Sequence, residues 1–237
     1  MIPFDFSKVF SVLPKLLPYL PVTLGITGVT IIVGTLLGGF FAKESLKEDS
    51  IAKKLVDGYI LFMRCTPPIV LIFLIFYGLP KLLLSLFLID INTWYKGIFV
   101  VISLTLLFAA NIAVTFKSAY LAVPYAQTEA GLAAGLTEFQ VFARIIVPQA
   151  AKVALPNYAN NVLTLLKEGS LAYTIGLIDI MGQAQNIIAR NLGNFALETY
   201  VAVTLIYWGL AIIIEQFARI VERTWSKGTR GFTGGES

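Results

Sequence analysis

Histidine is absent from this chain of 237 residues, and Cys65 is its sole cysteine. Without histidine there is no imidazole general base, and neither a Ser-His nor a Cys-His pair can be assembled. A zinc site built from Cys and His is excluded for the same reason, and a single thiol closes no internal disulfide. Charge is also scarce. Asp, Glu, Lys and Arg make up 14% of the residues against 57% hydrophobic, and the mean hydropathy is +0.79. A soluble domain carries about a quarter charged residues, so this chain has too few to clothe a surface facing water. No Gly-x-x-x-x-Gly-Lys-Ser/Thr phosphate loop occurs, since Ser226-Lys227-Gly228-Thr229 lacks the leading glycine, and nucleotide hydrolysis by that device is excluded. The stretch from Met1 to Tyr19 carries Asp5, Lys8, Lys15 and three prolines. It has neither the basic start nor the small-residue cleavage site of a signal peptide, so the chain is expected to insert through its own spans.

What is present is a series of long apolar runs. A bilayer core about 30 Å thick takes about 20 helical residues to cross, and five segments are expected to do so: 16–42, 57–88, 97–123, 158–180 and 199–223. The first holds no charge; the second has Arg64 near its start; the fourth is interrupted by Lys167, Glu168 and Asp179. The expected fold is an all-α membrane protein with five transmembrane helices in a single domain, 1–237. An odd number of crossings puts the termini on opposite sides.

The net charge of +4 and pI near 9.1 come from Lys and Arg set between apolar blocks rather than from a patch, so no nucleic-acid partner is expected. The same residues choose the orientation. With the N-terminus outside, the inner segments hold Lys43, Lys47, Lys53, Lys54, Lys117, Arg144, Lys152, Arg219, Arg223, Lys227 and Arg230, and the outer ones Lys8, Lys15, Lys81, Lys96 and Arg190. The excess of inner cations predicts N-out, C-in. Trp94, Tyr95, Tyr200, Trp208 and Trp225 fall near span ends, where aromatic anchors belong. The Gly-rich tail from Ser226 is expected to fray.

One connection, 124–157, is too polar to cross a membrane and too patterned for a slack linker. Pro124 suits a helix start and Gly135 a helix end. Thr137 followed by Gln140 fits a capping box that opens a second short helix, and Pro148 is expected to end it. The segment therefore reads as helix, glycine turn, helix. Ala130, Ala133 and Ala134 keep the first helix slim, and Glu129 offers a carboxylate to a basic partner group.

The residues spell Glu129-Ala130-Gly131, three residues, Gly135, nine residues, then Ile145-Ile146-Val147-Pro148. This resembles the cytoplasmic EAA loop of ABC importer permeases, with Gly131 in place of the second Ala and Val147 in place of Leu. Arg64-Cys65-Thr66-Pro67, Phe76-Tyr77-Gly78-Leu79-Pro80, Gln127-Thr128-Glu129-Ala130, Pro148-Gln149-Ala150 and Lys167-Glu168-Gly169-Ser170-Leu171 look like the polar amino-acid subgroup of these permeases. The likeness runs from about Val22 to Arg223. Cys65 stands at a usual Gly, Leu71 at a common Gln, Asn111 and Val114 where Tyr and Glu are frequent, and Lys117 where Arg is. The resemblance implies a type I importer permease of the cytoplasmic (inner) membrane of a prokaryote that binds no cofactor itself. It implies two ATPase subunits that use ATP and Mg and grip the loop through Glu129, Ala130, Gly131, Gly135, Ile145 and Pro148. It further implies a second permease subunit, identical or related, an extracytoplasmic solute-binding protein, and a polar amino acid as substrate, with cystine or a related sulfur amino acid among the candidates.

Ionisable groups at membrane depth are costly and usually face protein or water. Arg64, Lys167, Glu168 and Asp179 are therefore candidates for a substrate path, with Ser170 beside them and Asn111 and Thr115 sharing one face of the third span. The competing reading is structural: such residues also hold helices together or snorkel to an interface. Gly34 and Gly38 form a small-xxx-small pair expected to mark close helix packing. Pro67-Pro68 must disrupt the second span. Two rival functions fit the sequence less well. A membrane enzyme lacks its base and metal ligands, and a stand-alone secondary transporter or channel for small solutes would be expected to show paired repeats, which the chain does not.

Overall fold

The computed structural model describes residues 4–48 and 50–226, and the regular structure among them is helical, with no strand. Asp5 opens α1 (Phe6–Leu16) by accepting a hydrogen bond from the Ser7 backbone N–H at 2.9 Å. A 3-10 turn, Leu17–Tyr19, leads without a break into α2 (Leu20–Ser45). Pro18 and Pro21 do not interrupt this run, because each sits in the first turn of its segment, where an N–H has no intrahelical acceptor. The expected first span, 16–42, thus lies inside a helical run of 40 residues, Phe6–Ser45.

The expected second span is not one helix. Ser50 caps α3 (Ile51–Cys65), which ends where Thr66 and Pro67 adopt extended backbone with ψ of 125° and 135°. A residue before proline is pushed out of the helical region, and both positions precede one. The chain restarts as α4 (Pro68–Phe73), passes through a π turn at Leu74–Gly78 and continues as α5 (Leu79–Phe87), stopped by Leu88 in the left-handed region. Next come α6 (Lys96–Leu121) and two short helices, α7 (Ala126–Ala133) and α8 (Glu138–Val141). A second π turn, Phe142–Ile146, joins α8 to α9 (Val147–Gly169).

Pro148 therefore does not end a helix, contrary to expectation. The π turn widens the ladder immediately before it, with the Val147 N–H reaching back to the Phe142 carbonyl, so Pro148 falls in a first turn rather than an interior. Pro80 follows the other π turn in the same way. The expected fourth span, 158–180, is also corrected: α9 ends at Gly169, a 3-10 segment covers Ser170–Ile175, and Gly176 turns the chain at φ +76. Glu168 and Asp179 consequently do not share a helix. The chain closes with α10 (Ile180–Arg190) and α11 (Ala196–Ser226). Among the described residues, four helical stretches are long and apolar enough to cross a membrane: Phe6–Ser45, Pro68–Phe87, Lys96–Leu121 and Ala196–Thr224. Trp94, Tyr95, Tyr200 and Trp208 are exposed. The tail from Lys227 and the Trp225 side chain lie outside the described residues.

The centre of the bundle is α6, which buries Val100, Leu104, Phe108 and Ile112 against α2, α4 and α9. Gly34 faces Phe108 and Gly38 faces Ile112, so α2 and α6 run parallel. In contrast α9 returns antiparallel along α6. Asn161 meets Thr115 near one end, and Lys96 donates to the Gly176 carbonyl at 3.3 Å at the other. A second cluster seats Ile60 and Met63 of α3 on Ala110 and Ala113. A third joins Val9, Val12 and Leu16 of α1 to Ile180 and Ala184 of α10 and Ala202 and Val203 of α11.

Candidate functional site

The loop between α6 and α9 is built from local chemistry. The turn after α7 is a left-handed cap: Gly135 has φ +84, its N–H bonds Leu132 at 2.9 Å, and Leu136 N–H reaches back to Gly131 at 3.1 Å. A side chain at φ near +80° is strained, although nothing lies within 4 Å of where a Cβ would project. Both bonds of the capping box are made, Gln140 N–H to Thr137 Oγ1 at 3.3 Å and Thr137 N–H to Gln140 Oε1 at 2.9 Å. Gln149 Nε2 donates to the Ile145 carbonyl at 2.9 Å, a side-chain bond to the turn before it.

Gly131 is buried, and a Cβ there would come within 2.8 Å of Val141 Cγ2 and 2.9 Å of Ile145 Cδ1. The departure from alanine at this position is thus matched by close packing of α7 on the second limb of the loop. Glu129, Ala130 and Gly135 stay exposed, Ile145 and Pro148 are half-buried. Beside them stand Tyr125, Phe139 and Phe142, all exposed. Sequence reasoning passed over these three, although aromatic side chains in so polar a connection were the available signal. Exposed aromatic side chains in a polar connection are candidates for an interaction surface.

The residues expected at membrane depth divide into separate places. Arg64 ends α3 exposed, next to exposed Cys65 and the Thr66–Pro67 break. Thr115 donates to the Asn111 carbonyl at 3.0 Å and accepts from Asn161 Nδ2 at 3.0 Å; Asn161 also donates to the Asn157 carbonyl at 2.9 Å. Near this seam the Tyr158 hydroxyl lies 2.8 Å from Thr35 Oγ1 of α2. Asn157, Tyr158 and Asn161 were not singled out from the sequence, and the i, i+4 spacing of Asn157 and Asn161 on α9 was the clue. Lys167 and Ser170 line a cleft of about 520 Å³ between α9 and α11, together with Tyr200, Thr204, Tyr207 and Trp208. Glu168 is half-buried on another side of the helix. Asp179 is buried and caps α10, accepting the Gly182 N–H at 2.8 Å. The structure brings Asn111 together with Thr115 and Lys167 with Ser170. It keeps Arg64 and Asp179 apart from both pairs. Among the described residues no group of His, Cys, Asp and Glu could hold a metal ion.

Where α2 ends, α3 begins and α6 nears its end, Lys117 Nζ donates to Ser45 Oγ at 2.6 Å and lies 3.6 Å from Asp57 Oδ1, while Ser45 donates to Asp57. This network ties α2, α3 and α6 to one another just before the loop begins.

Comparison with known proteins agrees with this architecture. Residues 10–227 match the family described as the binding-protein-dependent transport system inner membrane component. The chain is 36% identical over 224 residues to the L-cystine transport system permease protein TcyL of Bacillus subtilis, covering 94% of this chain and 92% of that one. It is 31% identical over 217 residues to the histidine/lysine/arginine/ornithine transport system permease protein HisQ of Salmonella typhimurium, covering 88% and 92%. A crystal structure of an amino acid ABC transporter with histidines superposes with a TM-score of 0.80 at 27% identity, covering 94% of this chain and 100% of that chain. The chain belongs to the family of binding-protein-dependent transport inner membrane components, as a permease subunit of the amino-acid ABC transporter kind and not an enzyme.

Proposed function

We propose that the chain is one half of a pore for a polar amino acid, driven by ATPase subunits that dock on the loop from Glu129 to Pro148. The observation that carries this reading is the fixed spacing of that loop, with its slim first helix, left-handed glycine turn and exposed aromatic side chains. Five crossings in the N-out, C-in sense fit the helix directions. The parallel run of α2 and α6 requires a return between them, which Pro68–Phe87 has the length to make. Antiparallel α9 supplies a fourth pass although its helix is interrupted, and α11 a fifth. An interrupted helix is tolerated at depth where it lines protein or a water-filled cavity, and Lys167, Glu168 and Ser170 sit at that interruption.

In this reading two permease subunits form the path along their interface. A binding protein delivers the solute from outside, and closure of two ATPase subunits on ATP and Mg swings each loop and the helices tied to it. The Lys117–Asp57–Ser45 network transmits that movement from the loop to α2 and α3. Asn111, Thr115, Arg64, Lys167, Glu168 and Ser170 flank the path, while Asp179 acts by holding α10 in place. The names of the relatives make L-cystine and basic amino acids the first substrates to test. Uptake into liposomes containing the chain with and without its ATPase partner is the deciding experiment. Transport is expected only with ATP and both subunits, and uptake by the chain alone would overturn the proposal. Screening the cognate binding protein against the amino acids and cystine then identifies the solute.

A further inference from the structure

Among the described residues, Lys167 is the one charged side chain lining the cleft between α9 and α11, and no Asp or Glu lines it. Two helix stripes wall this space of about 520 Å³. Leu163, Leu166, Lys167 and Ser170 recur at the three- and four-residue spacing of one helix face. Tyr200, Thr204, Trp208 and Ala211 do the same along α11. Met181 of α10 and Val203 complete a mostly apolar lining. A cleft of this volume admits one small molecule.

The cation stands well inside the bundle's length. Asn161 meets Thr115 towards one end of α6, Gly176 meets Lys96 at the other, and Lys167 falls between these two points. An ammonium at membrane depth calls for water or an anion. The carboxylates nearest in the chain do not answer that call. Glu168 is half-buried on another side of the helix and lines no part of the cleft. Asp179 is buried off the lining and accepts the Gly182 N–H at 2.8 Å.

The small hydroxyls of the lining are oriented by the backbone. Ser170 Oγ donates to the Lys167 carbonyl at 2.6 Å, and Thr204 Oγ1 donates to the Tyr200 carbonyl at 2.8 Å. With its hydrogen committed, each hydroxyl can accept a hydrogen bond from a ligand but cannot give one. The Tyr200 hydroxyl is met by Gln185 Nε2 at 3.1 Å. The cleft thus offers one cationic donor, two hydroxyl acceptors and an apolar wall.

We propose that this cleft reads the zwitterionic head of the amino acid. The α-carboxylate docks on the Lys167 ammonium, the α-ammonium on the Ser170 and Thr204 hydroxyls, and the side chain lies against Leu163, Leu166 and Met181. The proposal rests on reading the chain as half of an amino-acid pore, and it names the class of solute that the pore takes. A charge-assisted bond between ammonium and carboxylate is strong in a dry cleft. A cationic side chain finds no carboxylate on this lining and adds like charge beside Lys167, and such an unpaired charge discriminates against its bearer. The class is therefore amino acids without a side-chain cation, L-cystine included, and the basic amino acids are disfavoured.

The test uses the full chain assembled with its ATPase subunits in nanodiscs, in a Cys65→Ser background, with one cysteine placed on the cleft wall by L163C or A211C. Labelling rates are compared for an anionic reagent, sulfonatoethyl methanethiosulfonate, and a cationic one, trimethylammonioethyl methanethiosulfonate. With Lys167 in place, the anionic-to-cationic rate ratio should exceed that of assembled K167M or K167Q by about fivefold or more, and K167R should keep it. L-methionine and L-glutamine in millimolar excess should slow labelling by about threefold or more, and L-arginine should not. A ratio indifferent to Lys167, equal protection by arginine, or protection by none of the three overturns the inference and leaves the pore reading standing. Labelling by neither reagent overturns both, because the cleft then lies outside the aqueous path.

Discussion

Gly131 and Gly135 lie one helical turn apart, yet each is glycine for a different reason. At Gly135 the constraint is backbone hand, since φ is +84 and no atom lies near the missing Cβ. A left-handed residue with a Cβ costs about 1–2 kcal/mol, and Asn bears this better than Ala or a β-branched residue. In the series G135N, G135A, G135V, uptake per ATP hydrolysed should fall in that order while the amount of inserted protein stays constant. Equal coupling in all three would remove the turn from the transmission path. At Gly131 the constraint is space, because a Cβ meets Val141 and Ile145. Overpacking of this kind costs typically 1–3 kcal/mol. G131A should therefore loosen the loop, measured as faster proteolysis between 124 and 147, and adding V141A should restore protection.

Helix pairing is where these small residues act on whole elements. A methyl at Gly38 would lie 2.7 Å from Ile112 Cβ and 2.9 Å from the Ala109 carbonyl oxygen, whereas nothing lies within 4 Å at Gly25 or Gly28. Since α2 and α6 form the principal seam of the bundle, G38A should lower the thermal midpoint in detergent by an amount matching about 1–3 kcal/mol. G25A and G28A should be neutral or raise it slightly, because Ala is the better helix former by up to about 1 kcal/mol. A destabilised G28A equal to G38A would show that propensity and not close approach governs this seam. The network of Lys117, Asp57 and Ser45 predicts a second contrast. Its charged side chains are partly exposed, so K117M should do little to stability. It should nonetheless reduce coupled uptake, with K117R retaining most of it.

For the whole molecule the decisive quantity is the parity of crossings. Five put the termini on opposite sides, while the four stretches that satisfy length and apolarity would put them on the same side. A reporter that works only outside the cell should be active at the N-terminus and in the 88–95 connection and silent at the C-terminus. Activity at both termini would overturn the five-crossing reading. The same experiment tests orientation, since N-in, C-out would reverse every signal.

Much of this was legible in the chain before any coordinates. Membrane residence follows from the shortage of charge, because too few polar side chains exist to face water. The Thr137–Gln140 box, the Gly135 turn and the break at Pro67 follow from rules that act within four residues. What sequence reading missed falls into two kinds, backbone geometry within a few residues and contact between residues distant in the chain. Pro148 was expected to stop a helix, but the π turn before it lets the helix pass, and its widened ladder is not written in any local propensity. The segment 158–180 looked like one span from composition alone, whereas the structure divides it into a helix, a 3-10 segment and a turn at Gly176. Asn161 acquires meaning only when α9 lies antiparallel to α6 and Thr115 comes within 3.0 Å. Local chemistry determined the elements and the solvent they live in. Tertiary structure alone decided which polar residues meet and which face of α1 is buried, because burial and partner choice depend on neighbours that the chain order does not name.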